Sequence, residues 1–178
     1  RMEYLNRIEL KGSISELVTE YDIAVQKPNK LSVVLTKGRK GGIVVSDGTV
    51  EKFYIPNTKQ YMEKKPPDSL FALINDPSFQ FTTNGAFRLN MFDAMVAQDP
   101  YKSFLEGVQD LQYAGLEQIN GTQAHHLRMG SDRIYLDMWI DAGAKPWILK
   151  VSPDYTSISR AQPSLAITVS CSFKDPST

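Results

Sequence analysis

Cysteine is nearly missing: Cys171 is the only one in 178 residues, so no intramolecular disulfide can form. Histidine is almost as scarce, with His125 and His126 the only two. Without a second thiol or a third imidazole, a zinc site would have to be assembled from scattered carboxylates. An excess of either charge is also missing, since 20 Lys and Arg balance 20 Asp and Glu. That balance argues against bulk binding to nucleic acid or to an anionic membrane, leaving room only for a local patch. No run approaches the ~18 apolar residues of a membrane span. No Gly-x-Ser-x-Gly elbow is present. The glycine-rich basic stretch Lys37-Gly-Arg-Lys-Gly-Gly42 lacks the Gly-Lys-Ser/Thr ending of a P-loop and reads as a flexible, solvated turn.

What is present is alternation. From Asp110 to Val151 the chain runs strand, turn, strand, turn, strand, turn, strand. Asn120-Gly121 sits between two strand-like runs, and both residues accept the positive φ of a type I′ hairpin turn. In the third run Ile134, Leu136, Met138 and Ile140 fall on one face, with Tyr135, Asp137, Trp139 and Asp141 on the other. Ser164 to Phe173 alternates most cleanly, with Leu165, Ile167, Val169, Cys171 and Phe173 against Ala166, Thr168, Ser170 and Ser172. The longest polar connection is Pro153 to Pro163.

The first third is a second meander of about six short strands. Met2 to Arg7 reads as a last helical turn. Ile8 to Leu17 and Glu20 to Gln26 then alternate as strands, Pro28-Asn29 breaks the pattern, and Leu31 to Leu35 resumes it. Ile43 to Val45 and Thr49 to Ile55 flank the turn Ser46-Asp47-Gly48, and Lys59 to Lys64 follows. The chain opens at Arg1-Met2-Glu3-Tyr4-Leu5 with no initiator residue first. We therefore expect a fragment of an exported precursor, with its N-terminal helix and export signal lying ahead of it.

Between the meanders the period changes. Pro66-Pro67-Asp68-Ser69 followed by Leu70 to Ile74 is a capped helix start, and Asn75-Asp76-Pro77 stops it. Ala86 to Ala97 places Leu89, Phe92, Met95 and Val96 at helical spacing. Asp99 to Leu105 begins a third short helix that ends near Gly107. No linker divides the chain, so one domain spanning residues 1–178 is expected. Its class is mainly β: about ten antiparallel strands in sequence order, with three short helices inserted mid-chain as the available cover for their apolar face.

These segments resemble the LolA/LolB-like superfamily of periplasmic lipoprotein carriers, and within it a family of predicted periplasmic proteins of unknown function. The residues that carry the likeness are spread along the chain: Lys27-Pro28-Asn29-Lys30-Leu31, Ser46-Asp47-Gly48-Thr49 with Tyr54, and Asn57-Thr58-Lys59-Gln60-Tyr61. Phe92-Asp93-Ala94-Met95, Asp99-Pro100-Tyr101 and Tyr113-Ala-Gly115 follow. Asn120 to Leu127, Met138-Trp139-Ile140 and Lys145-Pro146 complete the set. The resemblance implies a curved antiparallel half-barrel with the three short helices as a lid on its concave apolar face, a periplasmic or cell-envelope location and, by analogy of fold alone, an apolar ligand.

His125 and His126 are neighbours on a strand, so they point to opposite faces and cannot chelate one metal together. Asp47, Asp93, Asp137 and Asp141 are dispersed over turns, helix and strand. Asp93, in an otherwise apolar helix, is expected to face solvent or cap a loop. Cys171 reads as an inert buried thiol, and Asn120-Gly121-Thr122 as a hairpin rather than a glycosylation acceptor. No catalytic residue, metal or cofactor is assigned. The expected function is non-enzymatic binding of a lipid or lipoprotein acyl chain between sheet and helices. Its lining candidates are Leu70, Phe71, Leu89, Phe92, Met95, Leu136, Met138 and Ile140. Each buried methylene contributes about 0.8 kcal/mol, so an acyl chain gathers roughly 8–10 kcal/mol before ordering costs. The alternative is an envelope sensor or protein-interaction module with a filled core. A lipid, an acylated lipoprotein or an envelope protein is the expected partner.

Overall fold

The computed structural model describes residues 1–38, 41–87, 92–131, 135–144, 146–155 and 164–173. The first six strands are β1 (Met2–Leu10), β2 (Ser13–Gln26), β3 (Lys30–Lys37), β4 (Ile43–Asp47), β5 (Glu51–Ile55) and β6 (Gln60–Lys64). Four helices follow: α1 (Leu70–Ile74), α2 (Pro77–Thr82), α3 (Phe92–Val96) and α4 (Pro100–Leu105). Five strands close the chain: β7 (Asp110–Ile119), β8 (Thr122–Gly130), β9 (Tyr135–Asp141), β10 (Ile148–Asp154) and β11 (Leu165–Phe173). The class is mainly β and antiparallel with a few short helices mid-chain, as expected. The strands number eleven rather than ten, and the helices described number four rather than three.

The strand order is β6-β5-β4-β3-β2-β1-β11-β10-β9-β8-β7. The expectation of a sheet in simple sequence order is therefore corrected. β6 and β7, which the helices connect, lie at opposite edges, and β11 returns to pair beside β1. A connection of four helices releases β6 and β7 from having to be neighbours.

The N-terminal reading is also corrected. Met2 to Arg7 is strand, not helix: Met2 and Tyr4 are buried at a spacing of two, the period of a strand. The expected single strand Ile8 to Leu17 is broken by a hairpin turn at Lys11-Gly12, whose φ values are 51° and 81°. Ile8, Leu10 and Ile14 are all exposed, so their alternation marked no buried face and concealed the reversal. At Asn120-Gly121 the expected hairpin forms, with φ of 51° and 85° and Ile119 opposite Thr122.

Asn75-Asp76-Pro77 ends α1 as expected and also starts α2. Asp76 Oδ1 accepts a hydrogen bond from the Ser78 amide at 2.8 Å, and Pro77 opens the first turn. The helix expected over Ala86 to Ala97 is α3 alone within the described residues; Ala86 and Phe87 lie in a turn. The glycine-rich stretch is not wholly solvated. A Cβ on Gly41 would lie 2.2 Å from the Tyr21 hydroxyl oxygen, and one on Gly42 2.4 Å from the Tyr54 carbonyl oxygen.

The chain forms two compact units, residues 1–2 with 19–105 and residues 3–18 with 106–178. In the first, Tyr21, Val33, Val44 and Phe53 from the sheet are buried, as are Leu70, Leu73, Ile74, Phe79 and Phe87 from the helical segment. Phe87 is the hub of an aromatic cluster, with ring centroids 5.6 Å from Tyr21, 5.2 Å from Phe79 and 5.4 Å from Phe92. The Tyr21 hydroxyl donates to the Thr83 carbonyl at 3.1 Å. In the second unit, register places Leu127, Met138, Val151 and Cys171 side by side on one face. His126, Trp139, Lys150 and Ser172 run in parallel on the opposite face.

Candidate functional site

The turn between β2 and β3 holds the helical segment at three consecutive residues. Lys27 Nζ donates to the Ala97 carbonyl at 3.0 Å, just beyond α3. The Pro28 carbonyl accepts from the Leu70 amide at 2.7 Å, at the start of α1. Asn29 Nδ2 donates to the Pro67 carbonyl at 3.0 Å. Ser69 completes the start of α1 by accepting from the Ala72 amide. With α1 packed on α3, this latch leaves a recess of about 500 Å³ lined by Leu70, Phe71, Val96, Ala97 and Pro28, with Lys27 at its rim.

A larger recess lies between α2 and the sheet edge. Pairing sets Glu51 opposite Lys64, Phe53 opposite Met62 and Ile55 opposite Gln60, and alternate residues of a strand share a face. Pro77, Ser78, Phe81 and Thr82 of α2 stand over that face, and the open groove between them measures about 790 Å³. Phe81 is 75% exposed and Met62 42%. The groove continues into a space of about 560 Å³ that shares Ile55, Pro77, Phe81 and Thr82 and adds Asn57, Thr58 and Asn84. Among the described residues, no carboxylate, histidine, cysteine or lysine lines either part.

Charge is held at one end of the same face. Lys64 pairs with Asp76 and lies 3.7 Å from Glu51, and its ammonium sits 5.2 Å from the centre of the Phe53 ring. Glu51 is fully buried. Burial pushes its carboxyl up to about 7, against the opposing pull of Lys64.

The second unit carries a polar network on the outer side of β7–β10. His126 Nδ1 lies 2.8 Å from Glu117 and its Nε2 2.9 Å from Asp137. Its ring stacks on Trp139 at 4.5 Å, and the Trp139 indole donates to Glu117 at 2.8 Å. Lys150 lies over the Trp139 ring at 4.8 Å. The Trp139 and His126 donors hold the Glu117 carboxyl below its ordinary value. Arg128 bonds Asp154 and lies over Tyr135. His125 faces the other way, with its Nδ1 3.0 Å from the Tyr113 hydroxyl. Among the described residues, no group of three or more His, Cys, Asp or Glu side chains is placed to hold a metal ion. The network joins four strands through side chains, and the groups at its centre are already engaged with one another.

Of the expected lining residues, Leu70 and Phe71 meet in the α1–α3 recess. Leu89 lies outside the described residues. Phe92 is committed to the Phe87 cluster, and Met95 is half-buried on α3. Leu136, Met138 and Ile140 share the apolar face of β9, where Met138 is buried opposite Leu127 and Val151. None of these last five lines either recess. Asp93 accepts from the neighbouring Ala94 amide in the first turn of α3, a capping role. Sequence reasoning missed Phe53, Met62 and Phe81. The signal for Phe81 was available in Asp76-Pro77, a polar cap followed by proline.

A family profile described as a predicted periplasmic protein (DUF2092) matches residues 4–170. Comparison with curated proteins finds no match. Among solved structures, the chain is similar to lipoprotein LppX of Mycobacterium tuberculosis at 12% identity and a TM-score of 0.43, over 96% of this chain and 82% of that one. An uncharacterised conserved protein from Thermus thermophilus shares 13% identity at a TM-score of 0.45, over 96% of this chain and 74% of that one. A LolA superfamily protein from Nitrosomonas europaea shares 13% identity at a TM-score of 0.31, over 98% and 85%. Among the described residues no helix is long and apolar enough to cross a membrane.

Proposed function

This chain belongs to the DUF2092 family of predicted periplasmic proteins, and we propose that it is a non-enzymatic envelope domain that holds a lipid or lipoprotein acyl chain between α2 and β5–β6. The periplasmic or envelope location expected from the sequence agrees with the family's description. The observation that carries the reading is the groove itself. At about 790 Å³ it falls within the range of small-molecule pockets, roughly 300–1,000 Å³. Its walls carry Phe, Tyr, Met, Ile and Pro beside Gln60, Ser78 and Thr82, and apolar surface left in water carries a cost that a bound alkyl chain removes. Among the described residues the lining carries no charged side chain, which suits an apolar occupant. Leu70 and Phe71 line a recess of their own between α1 and α3, and Leu136, Met138 and Ile140 share an apolar face on β9.

The test is titration with a naphthylamine probe that fluoresces in apolar surroundings, displaced by dodecanol. Phe81 is exposed, so Phe81→Asp leaves the core intact while placing a charge in the groove. We expect the probe to bind at least about tenfold more weakly to this variant, the scale of burying an unpaired charge. Equal affinity in both proteins overturns the reading. So does capture of an envelope protein whose binding Phe81→Asp abolishes while alkyl probes fail to bind the native chain.

A further inference from the structure

We propose that the recess between α1 and α3 is a second ligand site, separate from the α2 groove, which takes a single-chain amphiphile with an anionic head, its alkyl chain against Leu70, Phe71 and Val96 and its head on Lys27. The recess measures about 500 Å³, and its lining is apolar apart from Lys27, Ser69 and Gln98. Lys27 is the charged residue of that lining. Its one hydrogen bond among the described residues goes to a neutral carbonyl, that of Ala97, and an ammonium carries three donors. No ion pair among the described residues includes Lys27, whereas Lys64 beside the α2 groove is already flanked by Glu51 and Asp76. Among the described residues no carboxylate lines the recess. The rim also carries Ser69, whose hydroxyl accepts from the Ala72 amide and has a proton to donate. A cation without a counter-charge, standing over apolar surface, is complementary to a carboxylate or a phosphate monoester on an alkyl chain. A cationic head finds no opposite charge there among the described residues, and a neutral head gains hydrogen bonds without an ion pair.

The site goes beyond the acyl-binding reading and fails independently of it. The experiment is methyl NMR on the whole chain, following Leu70 and Val96 in the recess and Ile55 and Met62 in the groove. Dodecanoate, dodecyl phosphate, dodecanol and dodecyltrimethylammonium are titrated separately. The two anions are expected to shift Leu70 and Val96, and Lys27→Met to weaken them there about fivefold, the scale of a partly exposed charge-assisted contact. Dodecanol binding should change less than twofold in that variant. Phe81→Asp should leave the Leu70 and Val96 response to anions unchanged. Whichever anion binds more tightly separates a free fatty acid from a phospholipid-derived source. The proposal is overturned if anions shift only Ile55 and Met62, which leaves the groove reading standing. It is also overturned if Lys27→Met weakens anions and alcohol equally, or if the cationic amphiphile binds the recess as well as the anions do.

Discussion

Glu51 has a fully buried side chain, and neither carboxylate oxygen has a hydrogen-bond partner. Lys64 at 3.7 Å is an ion-pair neighbour beyond hydrogen-bond reach. Desolvation therefore dominates, and the carboxyl rises from 4.5 to about 7. Between those values the folded chain keeps a proton that the unfolded chain has released. The stabilisation linked to that proton is complete below about pH 4.5 and is lost as the pH rises through about 7. Glu51→Gln is neutral throughout and lacks this dependence. Urea midpoints of the two proteins should thus diverge in favour of the glutamine variant between pH 4.5 and pH 8, by up to about 3 kcal/mol. A constant difference across that range would show that the carboxyl titrates normally. The pair Glu51 and Lys64 was legible only in part. Alternation puts Glu51 on the face of Phe53, but nothing local in the sequence says that Lys64 is the residue paired across from it.

Six residues make α2, too few for intrinsic helix stability, so its ends decide whether the groove has a wall. Asp76 caps the Ser78 amide and pairs with Lys64. Asp76→Ala removes the cap and leaves Lys64 with Glu51 alone. We expect a loss of about 1–2 kcal/mol in chemical denaturation, with weaker probe binding in the groove. Asp76→Asn, which still caps, should recover most of both. At this scale the sequence was informative where structure is local. The Asn120-Gly121 hairpin, the Ser46-Asp47-Gly48 turn and α1 behind Ser69 each depend on a few adjacent residues. β1 was misread because Met2 and Tyr4 were too few to display a period. α2 was missed because proline after asparagine and aspartate was taken only as a stop. The groove was out of reach for a different reason: Phe53, Met62 and Phe81 become neighbours only through the pairing of β5 with β6 and the docking of α2.

The whole molecule carries 20 basic and 20 acidic side chains and has a sequence pI near 6.9. It has little charge to hold copies apart at neutral pH. Light scattering should therefore show self-association greatest near pH 7 and falling by pH 9, and the dependence should flatten in Phe81→Asp if exposed groove surface is the adhesive. Unchanged scattering across that range would place the attraction elsewhere. The free sheet edges are β6 and β7. β7, ten residues long, is interrupted by a register shift between Tyr113 and Gly115, where φ is 116°, an irregularity that blunts edge-to-edge pairing. The Lys27-Pro28-Asn29 turn has a consequence in time. Its hydrogen bonds to Pro67 and Ala97 span 38 and 70 residues of chain, whereas the hairpins beside it close over a few. Loop closure of that length disfavours early formation, so we expect the strands of this unit to assemble before the helices dock. Both recesses are walled by those late-docking helices, so an occupant that bridges helix and strand stabilises the step by which its own site is completed, and protects that segment from proteases in proportion to its occupancy.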